Sequence, residues 1–424
     1  MNQSSISFPC PTARLRRHPA PRLGALAGAV LFALSGAPVS GAPEDGPDMA
    51  RLITENFDFA ARQYGVLLEA MEKTPDQFPR TFEEGNLLTS KLKTWTVGFF
   101  PGSLWLIREG TGDAKWDGPA DRWTRRLDGL RHHTGTHDLG FILHCAYGTG
   151  LRAARGAVDG EAYRAVLLDG ARALASRFNP AVGAIRSWDR EMWAFPVIID
   201  NMMNLELLCR ASAAGGDPRY REIAIAHAHK TLAHHFRADG SSYHLVTYNP
   251  VSGAPELKRT WQGYGSESAW ARGQAWALYG CTMMWRETRN PLYLDQAKRT
   301  AEFIVTHARL PEDKVPYWDF DAPDIPRAPR DSSAAAIMAS AFIELADHVE
   351  PFFARRYAGT ARRQLVSLSS PAYRSKLGEN GGFLLMHGTG HHPHGIEVDQ
   401  PLSYGDYYFL EALLRYRARL EKTR

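Results

Sequence analysis

Gly110-Thr111-Gly112-Asp113-Ala114-Lys115-Trp116 reads as the end of one helix, a small polar turn, and an aromatic residue opening the next helix. The same order returns at Asp159-Gly160-Glu161-Ala162-Tyr163, at Gly215-Gly216-Asp217-Pro218-Arg219-Tyr220 and at Thr288-Arg289-Asn290-Pro291-Leu292-Tyr293. The ring residues Trp116, Tyr163, Tyr220 and Tyr293 are 47, 57 and 73 positions apart, about one helical hairpin plus a loop. An Asp or Asn in such a turn caps the incoming helix, and Pro fits its first turn. Stacked hairpins of this size form a solenoid or close into a ring. Residues 50–424 hold about seven hairpins' worth of chain and no Ser/Gly/Pro linker. The expectation is one domain, all-α, built as a closed double ring of helices, an (α/α) barrel.

Apolar residues at helical spacing over Val197 to Arg210, Glu222 to Phe236, Tyr293 to Val305, Ala334 to Ala346 and Tyr407 to Leu420 agree with that reading. Alternating strands are scarce. Ser241 to Tyr248 is the best candidate, ending in a turn at Asn249-Pro250 and Gly253.

Residues 1–42 have a different character. Arg14, Arg16, Arg17 and Arg22 precede the apolar stretch Leu23 to Leu34, and small residues continue to about Ala42. Basic, apolar and small residues in that order form a secretory signal, and the apolar run is too short to span a membrane. The barrel domain is therefore expected over 43–424, exported to the periplasm or outside the cell. Four of the 50 basic residues leave with the signal, so 46 face 46 acidic ones. No basic field remains to hold nucleic acid or an anionic membrane. Cys145, Cys209 and Cys281 stand in apolar surroundings and read as buried free thiols. No CxxC or HExxH pattern occurs, and neither a metal nor a cofactor is expected.

Four segments mix aromatic, acidic and Gly residues where a core helix would be aliphatic: 95–105, 136–141, 197–204 and 261–276. In the third, Asp200 follows three aliphatic residues, so its carboxyl is expected to be desolvated and raised toward the range of a working general acid. Asp is also a good N-cap, and pattern alone leaves both readings of Asp200 open, as it does for Asp138 after His137. Two neighbouring carboxyls would push their pKa values apart. Arg272 and Trp276 are four apart on a helix, where a guanidinium can receive a carboxylate while the indole stacks on a sugar; a surface Arg–Trp pair is the alternative. The run His387-Gly388-Thr389-Gly390-His391-His392-Pro393-His394 lacks metal-ligand spacing and reads as a mobile polar loop at a site mouth.

These segments together resemble glycoside hydrolase family 88, the unsaturated glucuronyl hydrolases. The resemblance runs from Trp95 to Leu414 through Trp-Thr-x-Gly-Phe-Phe-Pro-Gly-Ser-Leu-Trp at 95–105, His-Asp-Leu-Gly-Phe at 137–141 and Ile-Ile-Asp-Asn-Met-Met-Asn at 198–204. It continues through Ser-Ser-Tyr-His at 241–244, Trp-Ala-Arg-Gly-Gln-Ala-Trp at 270–276, Pro-Tyr-Trp-Asp-Phe at 316–320, Arg-Asp-Ser-Ser-Ala at 330–334 and Tyr-Gly-Asp-Tyr-Tyr at 404–408. It implies an (α/α)6 barrel and a substrate whose non-reducing end is a 4,5-unsaturated uronic acid left by a polysaccharide lyase. It also implies Asp200 as general acid and base, Asp138 as its helper, and Trp95, His137, Trp188, His244, Gln262, Arg272 and Trp276 around the sugar. Alternatives that keep the same barrel or pocket are an unsaturated rhamnogalacturonyl hydrolase, a sugar epimerase and a non-catalytic glycan-binding protein.

Overall fold

The computed structural model describes residues 47–422; the expected signal segment 1–42 lies outside them. Among the described residues twelve helices longer than one turn follow one another as six hairpins. The first six are α1 (Met49–Met71), α2 (Phe99–Thr111), α3 (Asp117–Arg125), α4 (π-helical over Gly140–Gly148, then α-helical over Thr149–Ala153), α5 (Gly160–Ala175) and α6 (Asn201–Ala213). The others are α7 (Arg219–His234), α8 (Ala271–Thr288), α9 (Pro291–Thr306), α10 (Ser332–Leu345), α11 (Pro351–Leu368) and α12 (Ser403–Lys422). The even-numbered helices pack side by side, each on the next, and α12 returns to α2, closing the inner ring. The odd-numbered helices lie outside it. The fold is an (α/α)6 barrel with six hairpins, one fewer than chain length suggested, because long loops take up the difference.

The repeated turns are the links from inner to outer helices. Asp113, Asp159 and Asn290 each accept a hydrogen bond from a backbone N–H of the helix they open, and Asp217 accepts one from Arg219 N at 2.9 Å. Trp116, Tyr163, Tyr220 and Tyr293 are buried beneath the incoming helices. Links in the other direction are long, and all lie at the N-terminal ends of the inner helices. They carry the short strands: the hairpin Gln77–Glu83 with Asn86–Lys91, the three-stranded sheet of Pro196–Ile198, Leu245–Tyr248 and Pro255–Arg259, and the hairpin Gly388–His391 with Ile396–Gln400. One end of the barrel is therefore tight, and the other is an elaborated mouth.

The helix expected from Val197 begins at Asn201 instead, because Pro196–Ile198 pairs as a strand with Leu245–Tyr248. Three aliphatic residues buried on both sides look the same in sequence as one helical turn. The strand expected at Ser241 to Tyr248 is regular from Leu245, and the hairpin turns where Gly253 adopts a φ of 71°. Cys145, Cys209 and Cys281 are free and buried. Among the described residues no helix is long and apolar enough to cross a membrane.

The inner helices approach closely where α2 begins. A Cβ on Gly98 would lie 2.2 Å from the Phe141 carbonyl oxygen and one on Gly102 2.4 Å from that of Cys145, so α4 can touch α2 only because both positions lack side chains. That contact seats Phe99 and Phe141 against Trp95 and starts the aromatic lining of the mouth.

Candidate active site

Asp200 sits where the strand Pro196–Ile198 gives way to α6. The N–H of Ile199 donates to the carbonyl of His244 at 2.8 Å, so strand pairing itself sets Asp200 beside His244. Asp200 occupies the cap position of α6, yet its side chain makes no capping bond. Its Oδ2 is buried with no hydrogen-bond partner in the protein, and the residue is 9% exposed. A structural cap would have bonded to the helix, so the geometry favours a working carboxyl over the cap that pattern alone left open. Burial pushes its pKa up to about 7, and the Asp138 carboxylate adds to that; the Arg272 guanidinium, its own backbone N–H and the Trp276 indole N–H pull the other way.

His244 faces it, with Nε2 3.7 Å from Asp200 Oδ2. The His244 Nδ1 accepts backbone N–H groups from Trp261 at 3.0 Å and Gln262 at 3.3 Å, which assigns the proton of a neutral ring to Nε2. Burial, and then the Arg272 charge, hold its pKa well below the usual histidine range, so the ring presents an uncharged N–H to Asp200.

Asp138 lies two residues before the start of α4 and is oriented by its neighbours. Thr136 Oγ1 donates to Asp138 Oδ2 at 2.6 Å and accepts from the Asp138 N–H at 3.1 Å, while His137 Nε2 lies 3.3 Å from Oδ1. His137 is fully buried, and burial lowers its pKa despite the adjacent carboxylate.

Arg272 and Trp276 occupy the first two turns of α8, as their spacing implied, but both are buried. Arg272, 1% exposed, pairs with Asp331 at 2.9 Å and donates to the carbonyls of Thr389 and Gly390. Its guanidinium lies over Trp270 at 4.6 Å and Tyr404 at 5.3 Å, so it is neither a surface pair nor a partner of Trp276. Trp276 is fully buried and packs against Phe141 at 5.1 Å and Tyr408 at 5.5 Å. Trp95 lies on the same aromatic group, 5.4 Å from Phe141 and 4.9 Å from Tyr404. Trp188 stands edge-on to His244 at 6.1 Å, and Gln262 Nε2 donates to the Gly390 carbonyl at 3.1 Å. All nine residues singled out in the sequence therefore converge on one mouth.

The His-rich segment is the hairpin over that mouth. Arg272 and Gln262 pin its backbone, His387 Nδ1 meets Asp399 at 2.6 Å, and His392 stacks on Trp318 at 3.9 Å, so it is anchored where a loose loop was expected. Among the described residues no group of three His, Cys, Asp or Glu is placed to hold a metal ion. Asp331, Trp261, Trp193, Arg190 and Tyr404 belong to the same mouth and were not singled out as site residues. Asp331-Ser332-Ser333 had the form of a helix cap, and Asp331 does cap α10, accepting from the N–H groups of Ser333 and Ala334. The pairing with Arg272, 59 residues away, had no local signal.

A cavity of about 440 Å³ lies among α4, α5, α6, α8 and α12, with Phe141 and Tyr408 in its lining. Its acids are already paired, Glu206 with Arg286 and Glu411 with Tyr279 and Ser340. It offers no free carboxyl for acid–base work.

An (α/α)6 barrel that presents one protonatable buried carboxyl, a second oriented carboxylate and a wall of indoles defines a glycosidase of the six-hairpin class. No family profile matches the chain. Individual relatives do: it is 47% identical to an unsaturated glucuronyl hydrolase of Formosa agariphila over 84% of this chain and 90% of the relative. It is 36% identical to an unsaturated glucuronyl hydrolase of Bacillus sp. strain GL1 over 83% of this chain and 94% of the relative. Among solved structures it matches an unsaturated glucuronyl hydrolase specific for heparin at a TM-score of 0.82 and 42% identity, covering 88% of this chain and 98% of that one. A Streptococcus agalactiae unsaturated glucuronyl hydrolase variant complexed with dGlcA-GalNAc6S matches at 0.72 and 28% identity, over 86% and 91%. The chain belongs to the unsaturated glucuronyl hydrolase family, and it is an enzyme that hydrolyses glycosides.

Proposed function

We propose that Asp200 is the proton donor with which this enzyme removes a 4,5-unsaturated uronic acid from the non-reducing end of glycosaminoglycan fragments made by a lyase. The C4=C5 bond of that sugar is part of a vinyl ether. Protonation at C4 by Asp200 leaves an oxocarbenium-like cation at C5, and the Asp200 carboxylate then takes a proton from the water that adds there. The resulting hemiketal collapses, opening the ring and releasing the remaining glycan. Because this is hydration of an alkene, carboxyl separation carries no information about retention or inversion at the anomeric carbon. The Asp138 carboxylate keeps Asp200 protonated and stabilises the cation. The neutral His244 ring faces the Asp200 carboxyl across 3.7 Å without competing for its proton.

The observation that carries this reading is the buried, uncapped Asp200 carboxyl with a pKa raised to about 7. Relatives named for hydrolysis of unsaturated chondroitin disaccharides and for specificity toward heparin support a glycosaminoglycan source. The test follows the ultraviolet absorbance of the conjugated alkene-carboxylate in an unsaturated disaccharide. Absorbance falls with the native enzyme and holds with Asp200→Asn; an active Asp200→Asn enzyme removes Asp200 from the mechanism.

Export is part of the same proposal, supported by the basic, apolar and small-residue order of residues 1–42. Sequencing the N-terminus of the mature protein is expected to find it between residues 38 and 43, and an N-terminus at Met1 would refute this.

A further inference from the structure

The first N–H groups of a helix have no partner along their own chain. An Asp just before a helix ordinarily turns its carboxylate onto the N–H two or three residues further on. For Asp138, ahead of α4, the farther of these belongs to Phe141. That N–H is taken by a different helix: it donates to Asn204 Oδ1 on α6 at 3.0 Å. Asp138 is engaged elsewhere, with Oδ2 on the Thr136 hydroxyl and Oδ1 3.3 Å from His137 Nε2. Its carboxylate is held toward the mouth and not on its own helix.

The approach that permits this bond is tight. A Cβ on Gly140 would lie 2.5 Å from Asn204 Cα and 2.8 Å from Asn204 Oδ1, so α4 comes this near α6 only because that position is glycine. The stretch that Gly140 opens is π-helical, a rare form that recurs at functional sites. Asn204 is fully buried and stands four residues beyond Asp200, one turn along α6. Its Nδ2 makes no hydrogen bond within the protein, so the oxygen is the working end of the amide. One side chain therefore ties the helix that follows Asp138 to the helix that follows Asp200.

We propose that Asn204 is a positioning residue: by capping α4 from the neighbouring helix, it frees the Asp138 carboxylate to face Asp200. The inference rests on the roles given above to Asp138 and Asp200 and adds the residue that keeps them in register. Without the Asn204 oxygen the Phe141 N–H is buried and unsatisfied, which is costly. The Asp138 carboxylate, three residues back, is the acceptor within reach, and turning onto that N–H draws it out of the mouth. Of the charged groups acting on Asp200, Arg272 lowers its pKa and Asp138 raises it. His244, the other titratable group facing it, is neutral. Withdrawal of Asp138 therefore lowers the pKa of the proton donor as well as slowing the reaction.

The test measures turnover of an unsaturated disaccharide by the native enzyme, Asn204→Leu, Asn204→Asp, Asp138→Ala and the double variant Asp138→Ala/Asn204→Leu, with circular dichroism to show that each is folded. Asn204→Leu is expected to lower kcat by about 10-fold to 100-fold. Its KM stays within about 2-fold, and its kcat/KM falls off at a lower pH than that of the native enzyme. Asn204→Asp keeps an oxygen in the same place and is expected to recover most of kcat below about pH 6, where a carboxyl buried there holds its proton. In the Asp138→Ala background Asn204→Leu is expected to cost less than about 3-fold, because the carboxylate that Asn204 frees is gone. If Asn204→Leu does not fold, Asn204→Ala, which also lacks the acceptor, takes its place in each comparison. A purely structural tie would lower kcat equally in both backgrounds and leave the pH profile where it is. Either of those results, or full activity without the acceptor, would overturn the proposal. An unimpaired Asp138→Ala enzyme would instead refute the role given to Asp138 itself.

Discussion

Asp200 and Asp331 are both Asp residues that begin an inner helix, and they are used in opposite ways. Asp331 spends its carboxylate on two helix N–H groups, the Ser333 hydroxyl and Arg272. Asp200 makes no capping bond to its helix, and burial keeps its proton on to about pH 7. Since the donor must be protonated, kcat/KM is expected to fall as pH rises through about 7, and the pH profile of the native enzyme checks it. Asp200→Asn, which cannot donate that proton, is expected to lose about 100-fold to 10,000-fold or more in turnover. Asp331→Ala removes the partner of a guanidinium that is 1% exposed. It is expected to cost about 3–5 kcal/mol in denaturant unfolding, since Arg272 keeps its charge and loses its counterion. Sequence alone found Asp200 because an acid after three aliphatic residues is locally odd. It missed the role of Asp331 because a capping Asp is locally ordinary.

At the scale of elements, caps and periodicity foretold most helices, and the errors fell where pairing overrides pattern. Arg219–His234, Pro291–Thr306, Ser332–Leu345 and Ser403–Lys422 sit within a few residues of their expected bounds. Val197 and Ile198 do not, because strand partners 49 and 47 residues away, Val246 and Leu245, claim their backbone. That claim is functional, since it sets Asp200 opposite His244. The seam between α2 and α4 is equally non-local. Gly98→Ala is expected to push the start of α2 off the Phe141 and Ile142 carbonyls, which lie 2.2 and 2.3 Å from the added Cβ. Thermal unfolding should register a loss of at least about 1–3 kcal/mol. Activity should fall with it, because Phe141 carries both Trp95 and Trp276.

For the molecule as a whole, buried titratable groups couple stability to pH in two directions. Burial lowers His227 to about 3 and His235 to about 4, so the unfolded chain binds those protons more readily, and stability from them rises with pH from about 3 to 6.5. Asp200 and Asp406, both raised by burial to about 7, act oppositely. The folded state holds their protons longer, so the stability they confer is present below about pH 4 and is lost as pH rises to about 7. Asp200→Asn is therefore expected to gain stability relative to the native protein as pH goes from 4 to 7. The shift is bounded at about 4 kcal/mol, one folded-state displacement of about three pKa steps. Denaturant titrations of both proteins across that range measure it, and parallel curves would contradict the burial of the Asp200 proton.

The 110–116 turn and its three repeats, each with a polar cap and a ring residue, carried the helical-hairpin repeat in the sequence itself, while the number six came with the family resemblance. Caps, periodicity and turn chemistry are satisfied within a few residues of chain, so they can be read along it. Asp200, Asp138 and the indoles stood out there too, as residues at odds with their local setting. Only the tertiary structure decided that ring closure brings them to one mouth, that Asp200 caps nothing, that Arg272 answers to Asp331 and the 388–400 hairpin, and that Asn204 takes the Phe141 N–H. Desolvation and ion pairing depend on which distant segments arrive around a group, and no local pattern records those arrivals.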